Sequence, residues 1–352
     1  MRFELVRNLK GDEILGKTLF DGYGKVLLPS GTKLNTPYIN RIKQSGFYYI
    51  YIEDKELDDI KEDKKIDQLK QSTIERLPNV FTNIMQGNKD TVEESFKIVE
   101  DLAGYIATEG DVNTNLYEIS KYDNYTYIHC VDTAIMSIFL GRSLDLKIED
   151  LTELGISAML HDIGKIKISN EIINKKEPLT KQEFEEIKKH PVYGYRMLKE
   201  AGVDNKNILS AVVEHHERVN GKGYPLGISG DKVSDYAKII SVCDVFTALS
   251  ANRSYRERYN PNEAYEYIIS NGDIMFDTKI VEKFKENFFI YPLGCCVKLS
   301  NGIEGYVVKQ NKYFPDRPVI RVNYDHITKE KINSYEIDLL TTFNTIIESL
   351  VY

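Results

Sequence analysis

Hydrophobic and polar positions divide the chain into a central helical stretch and two flanks with strand-like patterns. Between about residues 111 and 290, apolar residues recur at helical spacing in segments such as YTYIHCVDTAIMSIFLG, DLTELGISAML and DYAKIISVCDVFTALS. Thr180 and Glu183 have the spacing of a capping box at the start of another helix. The pattern therefore predicts a mainly α protein with a central helical bundle.

The flanks predict two small modules and a charged linker. Residues 1–55 contain KTLFDGYGKVLLPSG, which predicts two short strands around a glycine-rich turn within a small α/β module. Residues 291–352 alternate again, and Asn301-Gly302 between apolar segments indicates a β-hairpin in a small β module. Charge dominates residues 56–110, which favours a solvent-exposed helical linker, with the seam of a homodimer as the alternative. The bundle then occupies residues 111–290.

Composition and charge limit the kinds of partner that the protein is expected to bind. The chain has 352 residues and a formal net charge of -8. Because surfaces that bind polyanions carry clustered Lys and Arg, we exclude long nucleic acids as partners but not a small anionic ligand. No apolar stretch approaches the roughly 20 residues that span a bilayer, and the charged N-terminus is not a signal peptide. The four cysteines lack paired CxxC spacing, so we expect reduced thiols in a cytoplasmic protein without a membrane anchor.

Histidines concentrate in the helical region and point to a metal centre. Two aspartates, Asp162 and Asp244, lie in the same apolar helical segments. A lone histidine there is usually an ordinary core residue, but each buried polar group left unpaired costs about 1–3 kcal/mol. A cation would relieve that cost for the whole group, and mixed imidazole and carboxylate ligands suit Fe, Mn or Zn better than Mg or Ca. Five of the six histidines belong to this group: His129, His161, His190, His215 and His216.

These residues stand in a series of motifs that resembles a known family. The motifs are YTYIHC, HDIGKIKIS, KKHPVYGYRML, EHHERVNGKGYPLGISGD and SVCDVFTALSANRSYR, in this order. The chain resembles the HD-GYP phosphodiesterases, a branch of the HD metal-dependent phosphohydrolases. The resemblance implies that residues 111–290 form a catalytic helical bundle that holds a metal cluster. It also implies a cyclic dinucleotide substrate, usually cyclic di-GMP.

Carried over position by position, the resemblance implies a binuclear site. The first metal would be held by His129, His161, Asp162 and Asp244. Asp162 would bridge to a second metal, held by His190, His215 and His216. We expect two divalent transition metals, Fe or Mn, with Zn as an alternative. Asp162 and Lys165 would act in catalysis. The substrate would be bound by Lys165, Arg253, Arg256 and Tyr224. The implied reaction is hydrolysis of cyclic di-GMP to linear 5′-pGpG, with GMP as a further product.

Departures from the family pattern leave alternatives open. Tyr125 stands where three-metal members carry Glu, so we expect two metals and pGpG as the main product. Asn220, Thr247 and Ser254 replace residues common in the family, which leaves cyclic GMP-AMP or another nucleotide as an alternative substrate. A sensor that binds a cyclic dinucleotide without cutting it is the alternative from a different functional class. The loop Gly223-Tyr224-Pro225 is also a candidate contact for a signalling protein.

Overall fold

The structure, a computed structural model, is mainly helical with small β modules at both ends, as predicted. The described residues are 1–21, 25–47, 49–60, 63–87, 89–108, 125–175, 177–250, 261–311, 313–325, 327–328 and 330–351. The helices are α1 (Thr36–Gln44), α2 (Lys64–Gln86), α3 (Lys89–Thr108), α4 (Tyr125–Ser143), α5 (Ile148–Leu160), α6 (Asn170–Ile173), α7 (Lys181–Ile187), α8 (His190–Glu200), α9 (Lys206–Glu214), α10 (Asp235–Ser250), α11 (Pro261–Ser270) and α12 (Thr278–Asn287). The strands are β1 (Arg2–Leu5), β2 (Leu19–Phe20), β3 (Val26–Leu28), β4 (Tyr49–Ile52), β5 (Cys296–Leu299), β6 (Glu304–Lys309), β7 (Val319–Tyr324), β8 (Lys331–Asp338) and β9 (Ile347–Leu350).

The helical bundle is built around α4, α5, α9 and α10. Helix α4 packs against α5 and α10, and α9 packs against α5, α8 and α10. Helices α4 and α10 are apolar around most of their circumference, which is typical of helices buried on all sides. Helix α7 begins with the capping box of Thr180 and Glu183, which satisfies backbone N–H groups of its first turn. The apolar core that α4, α5, α9 and α10 share positions the ends of α5 and α9 beside α4 and α10.

The segment predicted as a linker forms two helices that join the bundle. Helices α2 and α3 pack against each other and against α4, and α3 also packs on α5. Leu77 and Phe81 of α2 and Leu102 of α3 are buried in the same apolar core as the bundle. Lys65, Glu75 and Arg76 of α2 are exposed, whereas Lys70 pairs with buried Asp132 of α4, so this helix is amphipathic rather than exposed all round. The domain boundaries at residues 55, 110 and 290 stay predictions.

The two terminal modules have separate apolar cores. At the N-terminus, β1 pairs with β4 and β2 with β3, both antiparallel, and α1 packs beside them. Asn35, rather than the neighbouring Thr36, caps α1 by accepting from the Tyr38 N–H at 2.9 Å. At the C-terminus, the five strands form one antiparallel sheet in the order β8-β7-β6-β5-β9. The predicted Asn301-Gly302 turn connects β5 and β6.

The first and last modules are in direct contact. The Phe3 N–H donates to the Gly294 carbonyl at 3.0 Å, and Phe3 packs on the C-terminal core. Arg321 of β7 also makes a two-pronged ion pair, at 2.8 and 2.7 Å, with Asp59 in the segment that follows the N-terminal module. Gly294 has φ of +80°, and a Cβ there would lie 2.4 Å from the Met1 carbonyl oxygen, so the close approach requires glycine.

Across the described ranges, no helix combines the length and the apolar composition that crossing a membrane requires.

Candidate metal centre

The structure brings the seven predicted ligands together at the centre of the bundle. His129 lies on α4 and Asp244 on α10, in facing turns of two buried helices. Six of the seven are buried and His216 is partly buried. The ligands that follow α5 and α9, and the first residue of α8, complete the set: His161, Asp162, His190, His215 and His216.

The two adjacent pairs lie at helix ends rather than within helices. His161 is the residue at which α5 ends, and Asp162 begins the short 3-10 turn Ile163–Lys167. His215 ends α9 in the same way. The carboxyl ends of helices carry partial negative charge, which favours a cation nearby. His161 and His215 keep helical backbone angles, with φ of -53° and -60°, so each adjacent pair presents its side chains at the carboxyl end of a helix.

Three histidines are oriented by the same local hydrogen bond. The Nδ1 atoms of His161, His190 and His215 lie 2.6, 2.7 and 2.8 Å from the carbonyl oxygen three residues earlier in the chain. An Nδ1–H must donate in this contact, because a carbonyl can only accept. The neutral form of each ring then presents Nε2 as an unprotonated nitrogen. Such backbone bonds typically orient histidines that bind metals.

The donor atoms fall into two neighbouring groups. One contains Asp162, His190, His215 and His216, and the other contains His129, His161 and Asp244; within each group the atoms lie within 4.8 Å of one another. Asp162 lies between them. Its Oδ1 is 3.2 Å from His190 Nε2, and its Oδ2 is 3.3 Å from His161 Nε2. Each carboxylate oxygen of Asp162 thus faces a different group.

The donor set fits divalent cations better than it fits an ordinary core. His190 Nε2 and His215 Nε2 lie 3.2 Å apart. When both rings donate through Nδ1, these two Nε2 atoms are both acceptors, so their lone pairs repel each other. Only a proton or a cation between them removes this repulsion. His161 Nε2 and Asp162 Oδ1 are buried without a regular hydrogen-bond partner among the described residues. Buried histidine and aspartate side chains arranged in this way suit the binding of divalent metal.

Charges within the cluster shift the pKa values of its members. Burial lowers the pKa of His161, but the nearby carboxylates of Asp162 and Asp244 outweigh it and raise the pKa to about 10. Burial, together with the neighbouring charge of His190, lowers the pKa of His216 to about 3. Burial would raise the pKa of Asp162, but the charges of His161 and Lys165 hold it well below its usual value. Without metal, His161 therefore stays a charged imidazolium with a proton on each ring nitrogen, and the carboxylates of Asp162 and Asp244 stay ionised.

Lys165 forms an ion pair with Asp162. Its Nζ lies 2.5 Å from Asp162 Oδ2, and the side chain is partly exposed. The ammonium therefore reaches from the surface to the carboxylate that lies between the two donor groups. This position leaves it next to any anion that enters the site from solvent.

Gly164 allows the HDIGK turn to approach α8 closely. A Cβ at this position would lie 1.9 Å from the His190 carbonyl oxygen and 2.5 Å from the Gly194 N. Any larger residue would push the turn away from α8, and with it Asp162 away from His190. The glycine of the motif thus has a packing role that the sequence motif alone did not reveal.

His129 is oriented by a hydroxyl instead of a carbonyl. Its Nδ1 lies 3.2 Å from Thr247 Oγ1, which itself lies 3.0 Å from Thr133 Oγ1. Its Nε2 lies 2.9 Å from Asp244 Oδ1. In the tautomer that leaves Nε2 open to a cation, Nδ1–H donates to Thr247. The sequence motif marked Thr247 only as a departure from the family, although its spacing from Asp244 places it one turn along the same helix.

Tyr224 lies against the second donor group. Its ring stacks on the ring of His216, with centroids 4.7 Å apart and planes 29° apart. Its backbone N–H donates to the His216 carbonyl at 3.2 Å. Buried Glu217 accepts from the N–H groups of Leu226 and Gly227 at 2.6 and 3.1 Å. Glu217, which the motif analysis passed over, therefore holds the far end of the Gly-Tyr-Pro loop against the cluster.

Comparisons with known proteins agree with this arrangement. Residues 125–280 match the family model described as "HD domain", and residues 296–351 match the one described as "KOW domain associated with HD domain". A cyclic di-GMP phosphodiesterase of Pseudomonas aeruginosa is 30% identical over 262 residues, which cover 74% of this chain and 63% of that protein. The chain therefore carries an HD domain and is similar to cyclic di-GMP phosphodiesterases. These findings support the family that the motifs predict.

The curated relatives differ in the substrate that their names record. A 3′3′-cGAMP-specific phosphodiesterase of Vibrio cholerae is 31% identical over 168 residues, 48% of this chain and 36% of that protein. The chain spans 63% or less of the length of these two curated relatives. An HDG"Y"P protein from Bdellovibrio bacteriovorus has a similar fold, with a TM-score of 0.52 and 16% identity over 80% of this chain and 97% of that one.

Predictions that rest on Arg253, Ser254, Arg256 and the side chain of Tyr125 fall outside the described part of the chain. Arg253 and Arg256, predicted to bind substrate phosphates, lie in residues 251–260, which are not among the described residues. Tyr125 is the first residue of α4, but its side chain is outside the described part. The expectations drawn from these residues stay predictions.

Proposed function

We propose that this chain is a metal-dependent phosphodiesterase of the HD-GYP type that hydrolyses cyclic di-GMP to 5′-pGpG. The observation that carries the proposal is the pair of buried donor groups with Asp162 between them. The names of the cyclic dinucleotide phosphodiesterases that the chain resembles support the same reaction. The proposed ligands are those of the two groups, with Asp162 shared between two divalent ions.

Two divalent ions held by these groups would supply hydroxide at neutral pH and neutralise charge on the phosphoryl oxygens. We propose Fe or Mn, because the donors combine imidazole with carboxylate. Asp162 and Asp244 bring two negative charges to the cluster and Lys165 brings one positive charge at its edge. Addition of water across one P–O3′ bond of the cyclic ligand gives linear 5′-pGpG.

The cations near the cluster would position the phosphates. Lys165 Nζ already lies within hydrogen-bond distance of Asp162 and is partly open to solvent. A phosphoryl oxygen next to Asp162 would accept a charge-assisted hydrogen bond from this ammonium. We propose the same function for Arg253 and Arg256, on the basis of the family resemblance. Tyr224, stacked on His216, would contact the ligand beside the second donor group.

The decisive experiment combines metal analysis with product analysis. Protein purified without oxygen is expected to contain two transition-metal ions per chain. It is also expected to convert cyclic di-GMP to pGpG, and chromatography measures this conversion. Asp244→Asn is expected to lose metal and activity, because the carboxylate lies among the donors. Asp235→Asn is the matched control on the same helix, since the Asp235 side chain is exposed and pairs with Lys238 of the same helix at 3.3 Å. Full activity in Asp244→Asn, or no bound metal in the wild type, would refute the proposal.

Cyclic GMP-AMP is a second candidate substrate, because one relative is named for specificity towards 3′3′-cGAMP. Parallel assays with cyclic di-GMP and 3′3′-cGAMP at equal concentrations give the ratio of kcat/KM for the two ligands. A higher kcat/KM for cyclic di-GMP than for 3′3′-cGAMP supports cyclic di-GMP as the substrate. Tight binding of either nucleotide with no product over hours would instead support the sensor alternative.

A further inference from the structure

A row of two aromatic rings and one lysine extends from the metal centre to the surface. The ring of Tyr224 stacks on His216. Lys188 Nζ lies 5.9 Å from the centroid of the Tyr224 ring and 5.0 Å from that of Phe184. Both separations are within the range of cation–π attraction. The row therefore connects the donor groups to Phe184 through a continuous series of contacts.

This row is accessible and held in place. Phe184 is 46% exposed although it is a large apolar side chain, and the Lys188 side chain is 29% exposed. Phe184 is on α7, whose start is fixed by the capping box and by the ion pair of Lys175 with Glu183 at 2.7 Å. Lys188 ends that helix, one turn after Phe184, and pairs with Glu185 at 2.6 Å.

We propose that Phe184, Lys188 and Tyr224 form a nucleobase-binding wall beside the metal centre. The inference rests on the proposed function and names the part of the ligand that these residues contact. A cyclic dinucleotide with one phosphate at the metals must place a base a few ångströms to the side. Exposed aromatic rings next to a cation are the groups with which proteins stack unpaired bases. Neither Phe184 nor Lys188 belongs to the predicted ligand set.

The chain offers a direct optical test, because it contains no tryptophan. Phe184→Trp introduces a single indole into the wall, and a stacked guanine quenches indole fluorescence. We expect quenching when metal-loaded Phe184→Trp is mixed with cyclic di-GMP and recorded before turnover, and none with inorganic phosphate. The matched control is Phe343→Trp, which places the single indole on a 78% exposed position of the C-terminal module. We expect no quenching in the control.

Kinetics give a second measurement. Because loss of one base–aromatic stack commonly weakens binding severalfold or more, we expect Phe184→Ala to raise KM about tenfold with a smaller change in kcat. Lys188→Met, which keeps the length of the side chain but removes its charge, is expected to raise KM in the same way. Lys181→Met, an exposed lysine at the start of the same helix, is its control and is expected to leave KM unchanged.

The possible outcomes distinguish failure of the proposed nucleobase-binding wall from failure of the proposed function. Unquenched fluorescence in a Phe184→Trp protein that still hydrolyses cyclic di-GMP, or an unchanged KM in Phe184→Ala, would overturn the wall and leave the proposed function standing. A wild-type protein that neither binds nor hydrolyses any cyclic dinucleotide would overturn both.

Discussion

Replacing Gly164 with alanine tests whether one close backbone contact holds the metal centre together. The added Cβ would lie 1.9 Å from the His190 carbonyl oxygen and 2.5 Å from the Gly194 N. Both of these atoms belong to the first turns of α8, a helix in the packed bundle, so neither can rotate away as a side chain would. The HDIGK turn and α8 must therefore move apart.

The size of that movement follows from the contact distances. Real Cβ contacts shorter than 3.0 Å are essentially never seen, so the backbones must separate by at least about 1 Å. Metal–ligand distances tolerate about 0.2 Å. Since Asp162 lies on one side of the contact and His190 on the other, we expect the alanine variant to lose metal from the group that contains both. Overpacking of this kind also typically costs about 1–3 kcal/mol of folding stability.

The assay is metal stoichiometry after dialysis, together with thermal unfolding and the rate of cyclic di-GMP hydrolysis. Gly104→Ala is the matched control, because a Cβ at Gly104 in α3 meets nothing within 4 Å. We expect that control to keep its metal and to be equally stable or more stable by about 0.5–1 kcal/mol, from the better helix propensity of alanine. If Gly164→Ala binds the same amount of metal as the wild type, with unchanged kcat, the structural role assigned to Gly164 is wrong.

Three further predictions concern separate parts of the molecule. Thr247→Val removes the acceptor for His129 Nδ1–H, so we expect metal affinity to fall about tenfold, measured by competition with a chelator. Metal binding at pH 8 should release about one proton from His161, whose pKa in the metal-free protein is about 10; calorimetry in buffers of different ionisation enthalpy measures this release. Arg321→Leu should speed amide exchange around Asp59, because it removes the ion pair that joins Asp59 to the C-terminal sheet.

Each of these has a result that would contradict it. Thr247→Ser keeps the hydroxyl and should bind metal like the wild type; equal affinity in the valine and serine variants would remove Thr247 from the site. The sign of the proton release follows from a raised pKa: His161 is protonated below about pH 10, so release should vanish above that pH. Release that increases above pH 10 would show that another group supplies the proton. Unchanged amide exchange around Asp59 in Arg321→Leu would show that this ion pair does not stabilise the segment around Asp59.

The motifs of the chain were enough to predict the family, the mainly α fold and the residues that meet at the centre. This was so because metal chemistry demands particular side chains. Histidine and aspartate in apolar helical segments are costly to bury, and the pairs His161-Asp162 and His215-His216 are unusual there. The capping box of Thr180 and the Asn301-Gly302 hairpin were also predictable, because both depend on residues within a few positions of each other.

Only the tertiary structure showed the features that depend on contacts between residues distant in the chain. Charge alone suggested an exposed linker for residues 56–110, whereas α2 and α3 bury one face each against the bundle. The sequence marks Gly164 as one glycine among many, and only the approach of α8 shows why no side chain fits there. The contact of Lys188 with Phe184 and Tyr224 likewise joins a helix to a loop more than 30 residues later. Local pattern determines which groups are present, but their distances are set by the packing of elements that the sequence does not place side by side.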